Sequence, residues 1–355
     1  MTRPEIARLP LNDVIAARDV QPTNVTWLWP GRLPAGKLTM LDGDPGTGKS
    51  TLALEICARL SVGGSWPDGG TAPLGASLIL TAEDDLADTV VPRLIAARAN
   101  LDNVHMWTDS PAGGGGGRSV QFPTDLDDLR HRITYVGARL VVVDVLMAYL
   151  SDAIDAHKDQ SVRLVMRGLT RVAADTGAAM LLLRHPTKTI GSSALHRGGG
   201  SVGIIGAARA GLQVVLDPAT PETRLLSVTK SSYSKKAVTL KYNLVAHPSG
   251  VASVEWLGTD NRSADDIVNP SIFDSREVTA TKWLRSYLGG QAGPFDAAPI
   301  IKEAAAEGIG EATLRRARLT LKIESRKVQQ QWVWSWIDTS KPTGAVLPST
   351  VHEAL

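Results

Sequence analysis

Gly43-Asp-Pro-Gly-Thr-Gly-Lys-Ser-Thr51 fits the G-x-x-x-x-G-K-[ST] pattern at each fixed position and follows an apolar, strand-like run, Lys37 to Leu41. The glycines let backbone N–H groups turn inward around phosphates, Lys49 can reach the β and γ phosphates, and the Ser50 hydroxyl can hold Mg²⁺. Thr51 to Leu60 carries helix formers (Leu52, Ala53, Leu54, Glu55) and aims a helix N-terminus at the same anion. A strand before and a helix after separate a phosphate loop from a chance glycine-rich turn. The chain is therefore expected to bind ATP and Mg²⁺ through Gly43, Asp44, Pro45, Gly46, Thr47, Gly48, Lys49, Ser50 and Thr51.

Working outward, apolar runs at Leu38–Leu41, Ser77–Thr81, Leu140–Asp144, Ala179–Leu183, Leu212–Leu216 and Leu225–Lys230 alternate with helical stretches. That alternation is the mark of an α/β fold on a mainly parallel sheet. Val141-Val-Val and Met180-Leu-Leu-Leu are continuously apolar, as expected when helices cover both faces. At 355 residues the chain suits a nucleotide-binding core of about 200 to 250 residues plus a smaller module. We divide it into an N-terminal arm (1–24, with a helix over Leu11–Arg18), an ATPase domain (25–257), a linker (258–274), a second domain (275–338) and a disordered tail (339–355). Trp27 and Trp29 are expected to pack the arm against the core rather than touch a base, and Pro111–Pro123 reads as a mobile glycine loop. The net charge of +2 does not announce a nucleic-acid binder, so any basic surface must be local. Cys57, the sole cysteine, reads as a buried thiol, which leaves no disulfide framework. Neither a signal-peptide pattern nor an apolar run near the ~20 residues of a membrane span is present, so a cytoplasmic protein without a membrane partner is expected.

Beyond the loop, Leu78-Ile-Leu-Thr-Ala-Glu83-Asp84-Asp85 ends a strand in carboxylates, and Glu83 is the candidate base for the attacking water. Asp84 and Asp85 suit the acidic first turn of the next helix. Leu140-Val-Val-Val-Asp144 brings one carboxylate to the metal's water shell. Met180-Leu-Leu-Leu-Arg-His185 ends a strand at the γ phosphate, so His185 can report nucleotide state to the segment that follows. That segment carries Lys188, His196, Arg197 and Gly198-Gly-Gly, a basic loop suited to a nucleic-acid backbone. Arg209 and Lys230 are alternative cations for a neighbouring subunit's γ phosphate. Asp155, His157 and Asp159 read as solvated or helix-capping residues, not a metal site.

In the second domain, helical spacing of Val278, Trp283, Leu284 and Leu288, a helix over Asp296–Glu307, a glycine turn, the helix Glu311–Leu321 and strand-like Gln331–Trp336 spell a winged helix-turn-helix, with a helical packing module as the alternative. Leu314, Ala317 and Leu321 form the buried stripe, leaving Arg315, Arg316 and Arg318 free for phosphates or base edges. Gly310–Lys327 holds six basic residues against two acidic, a local excess of +4.

Together Trp27-Leu-Trp-Pro-Gly, the phosphate loop, Thr81-Ala-Glu-Asp-Asp, Leu140-Val-Val-Val-Asp144, Asp159-Gln-Ser-Val-Arg163, Arg184-His-Pro-Thr-Lys188, Arg197-Gly-Gly-Gly-Ser201 and Ala207-Ala-Arg209 resemble the RepA-type hexameric replicative helicases of the RecA-like superfamily, common on plasmids, phages and prophages. The resemblance covers about residues 25–257. It implies a RecA-like P-loop NTPase core assembled as a homo-hexamer, with Lys49 and Ser50 on phosphate and Mg²⁺, Glu83 catalytic, Asp144 on the metal side, His185 as sensor and Arg209 as a finger acting across a subunit interface. Two departures stand out: His185-Pro-Thr-Lys188 replaces the frequent His-Leu-Asn-Lys, and Lys230 is followed by Ser-Ser-Tyr without a nearby arginine. The expected function is an ATP-driven DNA helicase, with single-stranded DNA through the core, duplex at the second domain, and a primase as a candidate partner. An ATP-switched replication regulator or loader and a recombinase-like filament are the alternatives.

Overall fold

The computed structural model describes residues 15–108, 119–151, 154, 159–185, 202–268, 270–289 and 293–336. The first half contains β1 (Trp27–Trp29), β2 (Leu33–Pro34), β3 (Leu38–Gly43), α1 (Lys49–Val62), β4 (Ala76–Thr81), α2 (Val91–Ala96), β5 (Val104–Met106), α3 (Leu126–Val136), β6 (Ala138–Asp144), α4 (Asp159–Thr176) and β7 (Ala179–Arg184). It is followed by α5 (Val202–Ala207), β8 (Ala210–Asp217), β9 (Thr220–Ser231), β10 (Thr239–Ala246) and β11 (Ala252–Asp260). The C-terminal part holds α6 (Ala264–Val268), α7 (Pro270–Leu288), β12 (Phe295–Asp296), α8 (Ala297–Ala306), α9 (Glu311–Thr320), β13 (Ile323–Val328) and β14 (Gln331–Trp336).

Among the described residues nine strands form one sheet in the order β11-β10-β9-β8-β3-β7-β6-β4-β5. The six from β8 to β5 are parallel, and β9, β10 and β11 continue the sheet antiparallel. Alternate residues of the apolar strands feed two cores. Leu140, Val142, Leu181 and Leu183 pack with α1 on one face, while Val141, Val143, Met180 and Leu182 pack with α3, α4 and α5 on the other. This two-sided burial is why those runs do not alternate with polar residues. Within α4, Val162, Val165, Met166, Leu169, Val172 and Ala173 repeat at helical spacing and are buried.

Trp29 is buried, stacks on Trp66 at 4.6 Å between ring centroids and meets Trp256 edge-on at 6.2 Å. Its Nε1–H donates to Asp68, which also pairs with the buried Arg32. Trp256 in turn donates to Glu55 of α1. The antiparallel strands are thereby fastened over the helix that follows the phosphate loop.

In the C-terminal part, α7 to α9 pack on a three-stranded antiparallel sheet ordered β12-β14-β13. Leu314, Ala317 and Leu321 are buried as expected, while Val278 is exposed. Residues 258–274, read as a linker, carry regular structure: β11 runs to Asp260, α6 spans Ala264–Val268 and α7 starts at Pro270. The local cause is reciprocal capping: Ser263 N–H donates to the Asp266 carboxylate at 2.9 Å and Asp266 N–H donates to Ser263 Oγ at 3.3 Å. At the other end, Ala17–Asp19 is a short 3₁₀ turn. The rest of the expected N-terminal helix, the glycine loop at 113–117, the segment carrying Lys188 and Arg197, Asp155 and His157, and the tail from 337 lie outside the described residues.

Candidate functional site

The phosphate loop leaves the C-terminal end of β3, between β7 and β8, and runs into α1. Gly46 and Gly48 have φ of 78° and 86°, the left-handed region that glycine enters without steric cost. A Cβ on Gly43 would lie 2.7 Å from the carbonyl oxygen of Val214, so β8 leaves space there for glycine alone. Over Gly48 sits Leu244 of β10, whose Cδ1 would be 2.6 Å from an added Cβ. The loop is thus closely approached by β8 and β10, both on the antiparallel side of β3.

Lys49 is buried, and its ammonium donates to the carbonyl oxygens of Gly43 at 2.7 Å and Asp44 at 3.0 Å. It also lies 3.2 Å from His185 Nδ1. An ammonium only donates, so Nδ1 accepts and the imidazole proton is assigned to Nε2. Burial lowers the Lys49 pKa, opposed by Asp144, Asp44, Glu83 and Asp42. Burial, and then the Lys49 charge, lower that of His185, which favours the neutral ring the bond requires. Asp144, at the end of β6, is buried, and its pKa is pushed up to about 6 mainly by burial, with the Ser50 hydroxyl donating to it. Asp84 and Glu83 raise it further, while Lys49 lowers it.

The carboxylates after β4 divide by partner. Asp84 pairs with Arg93 at 2.7 Å, and Asp85 caps the following turn by accepting from the N–H groups of Ala87 and Asp88. Glu83 is exposed and has neither of these ties, yet it acts electrostatically on Asp144, Lys49 and His185. Lys49, Ser50, Glu83, Asp144 and His185 therefore converge around one loop. This set fits a Mg²⁺–nucleotide: Mg²⁺ is commonly held by one or two carboxylates together with substrate phosphates, and Ser50 and Asp144 already touch.

A profile of the AAA domain family matches residues 3–190, just over half of the 355-residue chain. The chain belongs to the AAA domain family. Outside that profile's region the sheet continues through β8 to β11, and the whole is a RecA-like P-loop ATPase. Similar curated proteins include the "DNA repair protein RadA" of Halalkalibacterium halodurans (26% identical over 161 residues), of Mycolicibacterium smegmatis (32% over 166) and of Bacillus subtilis (29% over 160). Each match covers 44% of this chain and 30% of the relative. Among the described residues of this AAA domain protein no helix is long and apolar enough to cross a membrane. Cys57 is fully buried, and its thiol pKa is pushed up to about 12 by burial.

Arg209 does not join the cluster. It precedes β8, its N–H bonds to Leu38 O at the start of β3, and its side chain is exposed. Lys230 is at the same end of the sheet, paired with Gly211, and donates to the carbonyls of Ile205 and Gly206 at the end of α5. In the C-terminal part, Arg315 is exposed, but Arg316 is buried, contrary to the expectation that all three arginines are free. It approaches Asp266 and Glu277, each at 3.5 Å, and donates to the carbonyl of Asn261 at 3.2 Å. Arg318 donates to Ile323 O at 2.9 Å and lies over Trp334.

The pair missed by sequence reasoning is Asp42–Arg184. Each residue precedes a site residue, Gly43 and His185, and the two face each other in the β3–β7 register. Arg184 donates from Nε and Nη2 to the two carboxylate oxygens at 2.7 and 3.0 Å, fully out of solvent. Opposite charges closing two neighbouring apolar runs were the available signal.

Proposed function

We propose that this chain is an ATP-hydrolysing, oligomeric DNA motor, and in its finer identity a RepA-type hexameric replicative helicase. The observation that carries it is the distance of Arg209 from its own phosphate loop. They lie at opposite ends of β3, five residues or about 15 Å apart. An arginine there cannot serve its own nucleotide and suits the nucleotide of a neighbour. Lys230, bound to two helix-terminal carbonyls, supports Arg209 as the finger.

In this reading Lys49 and the backbone of Gly43–Thr51 hold the β and γ phosphates, and Ser50 and Asp144 hold Mg²⁺. The metal supplies neutralisation of charge between the phosphates. Glu83 takes a proton from the attacking water, and Arg209 from the adjacent subunit stabilises the charge on the transferring phosphoryl group. A γ phosphate competes for Lys49, so its arrival removes the donor that His185 Nδ1 accepts from. The sensor role of His185 follows from that exchange, and the next segment, with Lys188 and Arg197, carries it to single-stranded DNA. DNA as the partner is supported by the relatives named as DNA repair proteins. The order α7-β12-α8-α9-β13-β14 supports a winged helix-turn-helix in the C-terminal unit.

An ATP-switched regulator without unwinding is the second reading. Its support is Arg316, which ties α9 to the segment joining it to the core, so that movement of the core would re-aim the C-terminal unit. Strand displacement and oligomer size, measured for the parent, Lys49→Ala, Glu83→Gln and Arg209→Ala proteins, separate the two. The motor requires DNA-stimulated hydrolysis and displacement by the parent. Arg209→Ala should form intact oligomers that hydrolyse at least about a hundredfold more slowly. Displacement absent from an actively hydrolysing parent would leave the regulator, and parental hydrolysis by Glu83→Gln would remove Glu83 as the base.

A further inference from the structure

The loop between β9 and β10 and the first turn of α9 enclose a cleft of ≈ 480 Å³ whose charged lining comprises Lys235, Lys236, Asp260, Arg262, Glu311 and Arg315. A second groove of ≈ 460 Å³, between α9 and the β13–β14 hairpin, shares Glu311 and Arg315 with it and continues to Arg318, Trp332 and Trp334. The two form one track around the start of α9, spanning the core and the C-terminal unit.

Three of the seven charged residues along this track, Asp260, Arg262 and Arg318, are committed. Arg262 pairs with Asp217 at 2.7 Å and with Asp260 at 2.9 Å. Arg318 is bonded back to Ile323 O. That leaves Lys235, Lys236 and Arg315, all exposed and without an ion-pair partner among the described residues, against the single carboxylate of Glu311. Gly310 gives α9 no side-chain cap, so the helix N-terminus adds positive potential to the same cleft. At the far end Trp332 is 56% exposed, although Trp334, two residues on and on the same face of β14, is buried. Three unpaired cations followed by an exposed indole match a phosphodiester chain with an accessible base.

We propose that this track binds single-stranded nucleic acid, with phosphates on Lys235, Lys236 and Arg315 and a base stacked on Trp332. This rests on DNA being the partner, and it makes the C-terminal unit a strand guide, not a duplex reader. A helix that reads a major groove sends several side chains to base edges. Here Arg316 is turned inward and Arg318 is bonded back, so α9 offers one free arginine. Both clefts have the size of small-ligand pockets, which suits single nucleotides of an open strand.

Fluorescence anisotropy of labelled oligo(dT) and of a blunt duplex of equal length, titrated with full-length protein at several salt concentrations, tests it. The variants are Lys235→Ala/Lys236→Ala, Arg315→Ala, Trp332→Ala and Trp332→Phe. The double lysine variant should weaken oligo(dT) binding and flatten its log–log salt slope by about 1.4, or 0.7 for each phosphate no longer neutralised. Trp332→Ala should weaken it about tenfold with the slope unchanged, and Trp332→Phe should restore it. DNA-independent ATP hydrolysis should be parental in all four.

Parental oligo(dT) affinity and slope in the variants would overturn the track alone, leaving DNA as partner intact. Losses confined to the duplex would make the surface a duplex reader. A fall in DNA-independent hydrolysis with oligo(dT) binding kept would assign the lysines to a neighbour's nucleotide and also overturn the track. A parent that hydrolyses ATP yet binds neither DNA would end both this inference and the proposed function.

Discussion

Replacing Arg184 by Met strips Asp42 of a bidentate partner in a site closed to water, where side-chain exposure is 1% for Arg184 and 3% for Asp42. At about 4 Å between charge centres the attraction is about 4 kcal/mol at an effective dielectric of 20. Breaking a buried pair from one side costs about 3–5 kcal/mol, because the remaining carboxylate stays buried without its counter-charge. Removing both charges with Asp42→Val/Arg184→Met avoids that penalty, and the double variant should lie within about 1.5 kcal/mol of the parent. Urea unfolding of the parent, both single variants and the double variant gives the coupling from a double-mutant cycle. The same cycle read by nucleotide affinity should move in parallel, since Asp42 precedes Gly43, whose carbonyl holds Lys49. A single Arg184→Met cost below about 1 kcal/mol, or a double variant no more stable than that single one, would refute a structural role for the Asp42–Arg184 pair.

Asp144 has a folded-state pKa of about 6 against an ordinary value of 3.8. Its contribution to stability is therefore full below about pH 4 and lost as pH rises through about 6, a swing of about 3 kcal/mol. Asp144→Asn should accordingly stabilise the nucleotide-free protein at pH 8 while removing the Mg²⁺-dependent part of ATP affinity; equal melting of parent and variant across pH 4 to 8 would contradict this. In the parent, Mg²⁺–ATP binding near pH 6 should release up to about half a proton from Asp144, seen by titration calorimetry in buffers of different ionisation enthalpy, and Asp144→Asn should remove that increment. Gly48→Ala forces a side chain into φ 86° and against Leu244, and should cost about 1–2 kcal/mol and at least tenfold in ATP affinity. Adding Leu244→Ala relieves only the steric clash, so the loss of affinity should persist in part. Arg316→Met should free the C-terminal unit, read as faster proteolysis between 258 and 274, with DNA-independent hydrolysis unchanged.

The readable parts of this chain are those whose cause is local. Gly43–Thr51 needs backbone N–H groups at fixed positions, and the central parallel strands β3, β6 and β7 carry long apolar runs because helices cover both faces. Of the antiparallel extension only β9 was legible, as the apolar run Leu225–Lys230; β10 and β11 were not. Strands β10 and β11 are half-exposed, with polar residues such as Lys241, Asn243 and Glu255 among the apolar ones, and are held by contacts distant in sequence, Trp256 to Glu55 and Leu244 over Gly48. The regular structure within 258–274 was missed for a different reason. Its polar residues suggested solvent, yet Ser263-Ala-Asp-Asp266 is itself a capping sequence that starts a helix.

Arg316 marks the limit of composition as a guide to a binding face. Arg315, Arg316 and Arg318 are chemically alike and adjacent, and only their partners distinguish them: solvent, the Asp266 and Glu277 carboxylates, and a backbone carbonyl. The local excess of positive charge was real, but part of it holds the protein together. What remains available to a ligand includes Lys235 and Lys236, about 80 residues away in sequence and brought to the start of α9 by the antiparallel strands. The same extension supplies Leu244 over the phosphate loop. A single set of strands thus reaches from Gly48 of the phosphate loop, under Leu244 of β10, to the cleft lined by the lysine loop that precedes β10.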